Sequence, residues 1–149
     1  MKYNKIYICG HPKSGVRYVS KLIHENFFTE NKEFYKDADE IQIDNDTLYV
    51  YVERRFRNLI KSFYEIRHIY GISEDMNFED FYKTRYSQLC YENNNCDCRH
   101  ITMAPRNYWE HHVNSWIKIC KVNTNIIMIS YDKILRNVDA VMKKIGSYL

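Results

Sequence analysis

With 149 residues the chain is long enough for one domain with a full core. Its 22 basic and 19 acidic residues leave a net charge of only +3, too small and too dispersed for general nucleic-acid binding. No run approaches the roughly 20 apolar residues that span a bilayer, and the start Met1-Lys2-Tyr3-Asn4-Lys5-Ile6 has no apolar leader. Neither nucleic acid nor a membrane is therefore an expected partner, and a cytoplasmic protein is expected.

Taken in order, Ile6–Cys9 is a short apolar strand of the kind buried on both faces of a parallel sheet. The spacing of Val19, Leu22, Ile23 and Phe27 predicts a helix over 16–28. Ile41–Ile43 is a weaker strand signal and Leu48–Val52 a strong one. Leu59, Phe63, Ile66 and Tyr70 share one stripe of a helix over 57–70. A helix over 77–88 follows, with Asn77 as its cap. Asn93–Arg99 reads as an exposed polar loop. After Pro105 a helix is predicted over 106–121, then a strand over Ile126–Ser130 and a last helix over 132–148. Strands alternating with helices give one α/β domain over residues 1–149, with a central parallel sheet and right-handed crossovers.

Five cysteines without a secretion signal are expected to be reduced. Cys90, Cys96, Cys98 and His100 cluster, but zinc sites usually pair ligands as C-x2-4-C with a second pair well separated. One pair here is C-x-C and the histidine follows almost at once. Loop cysteines without a metal are the expectation.

The richest segment is Ile8-Cys-Gly-His-Pro-Lys-Ser-Gly-Val-Arg-Tyr18. A strand runs into a turn punctuated by Gly10, Pro12 and Gly15, and a helix opens directly after it. Backbone N–H groups and a helix N-terminus then point at one place, which suits a phosphate. The Gly10-x4-Gly15 spacing matches the start of a Walker A loop, but Val16 and Arg17 stand where that motif needs Lys and Ser/Thr. The lysine sits inside the loop as Lys13 and the magnesium-binding hydroxyl is missing, which argues for a nucleotide handled without a metal. A P-loop nucleotide kinase is the less favoured alternative for that reason.

His11-Pro12-Lys13-Ser14-Gly15 followed by a helix resembles the 5′-phosphosulfate loop of sulfotransferases, usually Tyr-Pro-Lys-Ser-Gly-Thr-Thr-Trp. Three further segments keep the family's order. Arg54, Arg57-Asn58 and Ser62 match the Arg…Ser motif that grips the donor's 3′-phosphate, where arginine offers a planar fork to phosphate oxygens. Trp109-Glu-His-His-Val-Asn-Ser-Trp116 resembles the family's Trp-x-x-His-Val-x-x-Trp helix and is read as core packing. Ile127-Met-Ile-Ser-Tyr-Asp-Lys-Ile-Leu135 resembles its strand–Tyr–Glu/Asp–x–Leu element.

The resemblance implies a P-loop-containing three-layer α/β/α fold. It also implies transfer of a sulfuryl group from 3′-phosphoadenosine-5′-phosphosulfate (PAPS) to a hydroxyl or amine, with adenosine 3′,5′-bisphosphate (PAP) as product and no metal required. The acceptor would be a small molecule or carbohydrate. Lys13 takes the leaving-group role, and Ser14, Gly15, Val16 and Arg17 hold the 5′-phosphate mainly through backbone N–H groups. Tyr18 stands where the family stacks a tryptophan on adenine, and Tyr131 is a second donor contact.

The family's Lys-Thr-His base segment has no counterpart in residues 30–47. Glu40, Asp44 and His11 are the candidate bases, with His24 also near in sequence. The family's C-terminal Arg-Lys-Gly segment is likewise missing after Tyr131, so the sequence reads as a shortened core. A protein that binds PAPS or PAP without catalysis is therefore the main alternative.

Overall fold

The computed structural model describes residues 2–27, 30–70, 72–85 and 102–149. The chain divides into two compact units, one made of residues 1–55 with 112–149 and the other of 56–111.

The first unit is built on four parallel strands: β1 (Lys5–Gly10), β2 (Glu30–Phe34), β3 (Thr47–Glu53) and β4 (Ile126–Ser130). Their spatial order is β2-β1-β3-β4. The chain leaves β1 through helix α1 (Val16–Asn26) to β2 on one side, then returns to β3 on the other. The segment after β1 thus lies at the switch point of the sheet, at the strands' carboxyl ends, where open α/β sheets bind ligands.

Strand alternation sends two sets of side chains to opposite faces. On one face Ile6, Ile8, Leu48, Val50, Val52, Ile127 and Ile129 are buried together with Val16, Val19 and Ile23 of α1. Helices α5 (Tyr131–Arg136) and α6 (Val138–Gly146) add Ile134, Met142 and Ile145 to that core. On the other face Tyr51 stacks on Trp116, rings 5.2 Å apart and 24° from parallel. Trp116 belongs to helix α4 (Pro105–Cys120), of which residues 112–120 lie in this unit. Its indole N–H also bonds the Lys36 carbonyl (3.1 Å), which fixes the connection leaving β2.

In the second unit α2 (Phe56–Glu65), a 3-10 turn (Arg67–Tyr70) and α3 (Phe78–Lys83) bury Ile60, Phe63, Ile72, Phe81 and Tyr108. Asn77 caps α3 as expected, its side chain accepting the Asp80 N–H at 2.9 Å.

The mixed α/β architecture with its central parallel sheet is the one expected, and four expectations about single elements need correction. No strand forms at Ile41–Ile43; the fourth strand is β2, whose sequence Glu-Asn-Lys-Glu-Phe has no apolar run. A charged edge strand escapes a search for buried strands, and solvent-facing charge is what keeps such an edge from pairing with another chain. The helix expected over 57–70 stops at Glu65, where the Arg67 guanidinium bonds the Tyr64 carbonyl (2.9 Å) and lies over the Tyr64 ring. The helix expected over 77–88 ends at Lys83, with Thr84 extended and bonded back to the Asp80 carbonyl. The last helix breaks in two because the Asn137 side chain accepts the Ala140 N–H and starts a new helix. The polar loop expected at Asn93–Arg99 and the Cys90/Cys96/Cys98/His100 cluster lie outside the described residues.

Candidate active site

The loop after β1 begins with a tight turn. Ser14 N–H bonds the His11 carbonyl (2.9 Å), Pro12 takes the second position, and Lys13 at the third has φ 69°. Those three features define a type II turn, which requires positive φ at its third position and normally places glycine or asparagine there. A lysine held left-handed carries strain of order 1–2 kcal/mol. Gly15 follows at φ 100° as the residue that caps α1.

Two glycines let the loop close. A Cβ on Gly10 would lie 2.9 Å from the Val52 carbonyl and 2.8 Å from Val16 Cγ2, and one on Gly15 would clash with one edge of the Tyr131 ring. With Gly15 capping without a side-chain bond, the N–H groups of Val16, Arg17 and Tyr18 have no acceptor within the helix. Ser14 is buried, and its Oγ has no hydrogen-bond partner among the described residues. An unsatisfied buried hydroxyl beside a helix N-terminus is what an anion with several acceptor oxygens would complete.

Arg54, just beyond β3, reaches this loop. Its Nη1 donates to the Lys13 carbonyl at 3.0 Å, and its guanidinium lies 4.9 Å from the centre of the Tyr131 ring. Tyr131, at the start of α5, also meets Tyr18 edge-on at 6.0 Å. Lys13, Ser14, Gly15, Tyr18, Arg54 and Tyr131 are thus one contiguous cluster, assembled from the ends of β1, β3 and β4 and the first turn of α1.

Arg17 lies in the same first turn, but its charge acts on the Tyr35 hydroxyl, which donates to Glu33 (3.1 Å). Burial and Glu33 push the Tyr35 phenol up to about 12 despite Arg17. Val16 is buried in the core, so only its backbone faces the loop. Ser62 lies half-buried on α2, in the second unit.

Ser14's N–H is committed to the His11 carbonyl, so this residue offers the loop its hydroxyl instead. Asp44 precedes β3 at the amino end of the sheet, about 20 Å along the strand from the loop. There it accepts the Thr47 hydroxyl (3.0 Å), the Asp46 N–H (3.0 Å) and the Tyr49 hydroxyl (3.2 Å). Burial alone would raise its pKa, and these bonds outweigh it to hold the carboxyl below its usual value. These bonds make Asp44 part of the turn that leads into β3. Glu40 sits exposed on the 3-10 turn Ala38–Glu40, and its carboxylate bonds none of the described residues. His11 is 1% exposed. His24, also weighed, is exposed in the last turn of α1.

His112 is the residue that sequence reasoning passed over as packing. It is fully buried, its Nδ1 lies 2.9 Å from the Tyr51 hydroxyl, and its ring meets that of His11 at 5.6 Å and 72°. The His-Val pair in the Trp109–Trp116 segment was the available signal, but spacing alone does not distinguish a buried polar link from core.

No family model matches the sequence, and no curated protein matches it. Among solved structures, the chain is similar to mouse sulfotransferase SULT7A1, crystallised in complex with PAP. The TM-score is 0.70 at 13% identity, covering 97% of this chain and 57% of the mouse one. The fold is therefore that of the sulfotransferases, and the chain spans little more than half the length of that neighbour. None of the described helices is long and apolar enough to cross a membrane.

Proposed function

We propose that this protein binds PAPS and PAP through loop 10–15 and transfers the sulfuryl group to a hydroxyl or amine of a small molecule or carbohydrate. The observation that carries this reading is the meeting of Lys13, Arg54 and Tyr131 around an αL–helix turn with an unsatisfied buried hydroxyl. Two cationic side chains and a ring of orphan N–H groups suit a doubly charged nucleotide better than a neutral ligand.

PAPS supplies an activated sulfuryl group whose leaving phosphate gains negative charge as the bond to sulfur breaks. Lys13 neutralises that charge, and the N–H groups of Gly15, Val16 and Arg17 hold the 5′-phosphate. Positioning and electrostatics of this kind supply most of the rate in related phosphoryl transfers. Arg54 holds the loop through the Lys13 carbonyl and is the residue that the resemblance assigns to the 3′-phosphate. Tyr18 offers its ring face to the adenine, and Tyr131 is the second donor contact that the resemblance assigns.

The reading is tested by calorimetric titration with PAP and with ATP plus magnesium in parallel. Preference for PAP, independent of magnesium and lost in Arg54→Ala, is expected. Equal binding of ATP would overturn it.

A binding protein without catalysis is the second reading. It is favoured by the placement of the candidate bases: Asp44 at the far end of the sheet, Glu40 on an exposed turn, His11 buried. Release of PAP from PAPS across a panel of alcohols, phenols, amines and sugars separates the two readings.

A further inference from the structure

The difference between type I and type II turns is the orientation of the central peptide, here the one joining Pro12 to Lys13. Rotating it by half a turn reverses the Pro12 carbonyl and moves the next residue between negative and positive φ. In this loop the Pro12 carbonyl is held: His11 Nδ1 lies 2.6 Å from it. A carbonyl only accepts, so Nδ1 carries the proton and His11 is the Nδ1–H tautomer. Burial lowers His11 to about 4 against the smaller opposing effect of that hydrogen bond, so the ring is neutral near pH 7.

The imidazole is itself fixed from behind. Cys9 of β1 pairs in register with Tyr51 of β3, which faces α4, and His11 follows just beyond the strand with its ring on that side. There His112 meets the His11 ring edge-to-face, and Tyr51 holds His112 through Nδ1. A hydrogen-bonded, ring-packed path thus runs from Tyr51 through His112 and His11 to the one peptide whose orientation sets Lys13. On the other side of the turn Arg54 bonds the Lys13 carbonyl.

We propose that His11 is a positioning residue: its Nδ1–H holds the Pro12–Lys13 peptide in the type II orientation, and so aims Lys13, with His112 and Tyr51 as its backing. This explains how a lysine occupies a position that ordinarily needs glycine. It also gives the buried histidine a role other than the catalytic base. The turn geometry stands independently of the ligand, and only the consequence for donor binding rests on the function proposed above.

The test compares His11→Asn, which keeps an N–H donor near the Nδ1 position, with His11→Phe, which keeps a ring and loses the donor. Two quantities are read: amide exchange of Ser14 in the ligand-free protein, and affinity for PAP. His11→Phe is expected to speed Ser14 exchange and weaken PAP binding by about tenfold, and His11→Asn to restore both to within a few-fold of wild type. Unchanged exchange and affinity in a folded His11→Phe protein would overturn the proposal. So would nitrogen chemical shifts in the wild-type protein showing the proton on Nε2, a result that does not depend on any variant folding. If wild-type protein fails to bind PAP, the proposed function falls, while Ser14 exchange in the two variants still decides the role of His11.

Discussion

Both ends of the sheet carry polar side chains and use them in opposite ways. At the amino end the groups satisfy one another. Asn125 donates to the carbonyls of Asp44 (2.6 Å) and Thr47 (2.9 Å), while the Asp44 carboxylate accepts from Thr47, Asp46 and Tyr49. The Tyr49 N–H returns to the Asn125 carbonyl (2.8 Å), which closes the circuit. At the carboxyl end Ser14 Oγ is buried without a partner among the described residues, Lys13 is left-handed, and three helix N–H groups point outward. One end is a finished lock between β3 and β4, and the other is a frame that an anion would complete.

Lys13→Ala offers the largest effect on which this contrast can be tested. If Lys13 stabilises the leaving phosphate, transfer should fall about 100- to 1000-fold, a loss of roughly 3–4 kcal/mol in the transition state. PAP binding should fall much less, because the backbone N–H groups remain. Steady-state kinetics with separate titration of PAP measures both. A variant with full activity would remove Lys13 from the chemistry and leave the carboxyl end merely an anion-binding frame.

Next in size is the acid response of the same end. His11 titrates at about 4 in the folded protein, below the ordinary histidine value near 6.5 in the unfolded chain. The unfolded state therefore binds the proton first, and stability falls as pH drops. The contribution is fully present above pH 6.5 and lost progressively toward pH 4, about 3 kcal/mol in total. Urea unfolding of wild type and His11→Asn across that range should show a slope in the first and not in the second. Parallel slopes would mean that some other group drives the loss.

How much of this was legible in the sequence differed by kind of residue. Three strands and the helix after the loop were readable because buried apolar runs and 3.6-residue stripes are strong local signals. The edge strand β2 was not, since a solvent-facing strand needs no apolar run and here is mostly charged. The loop with Arg54 and Tyr131 was found through ordered motifs, and the structure brings those side chains together. Which residue could serve as a base was not legible. Asp44 and His11 are near the loop along the chain, but strand direction puts one at the far end and packing on His112 buries the other. His112 was hidden because a buried histidine bonded to a tyrosine from another strand leaves only an apolar-looking helix pattern.

The lock at the amino end gives the next smaller effect. Asn125 is buried, and replacing it with alanine leaves the Thr47 and Asp44 carbonyls without their donor. A loss of about 2 kcal/mol in unfolding free energy is expected, with PAP affinity of the folded protein unchanged. Chemical denaturation and titration measure the two separately, and a matching loss of affinity would show that the two ends are coupled.

The smallest effect is also the sharpest test of the contrast, and it falls on Asp44. Its carboxylate is exposed, and its lowered pKa comes from hydrogen bonds that only partly survive in Asp44→Asn. Because the folded value lies below the unfolded one, the stabilisation is present above about pH 4 and disappears as pH falls through the folded value. Asp44→Asn should therefore cost a few tenths of a kcal/mol near pH 7, and nothing once the wild-type carboxyl is protonated. This loss lies below the window in which His11 titrates, so the two ends should fail at separate pH values. Transfer activity should be untouched, because β3 holds Asp44 about 20 Å along the strand from the loop. Loss of turnover in Asp44→Asn with PAP binding intact would make Asp44 the base after all, and would break the division of the sheet into a locked end and a working end.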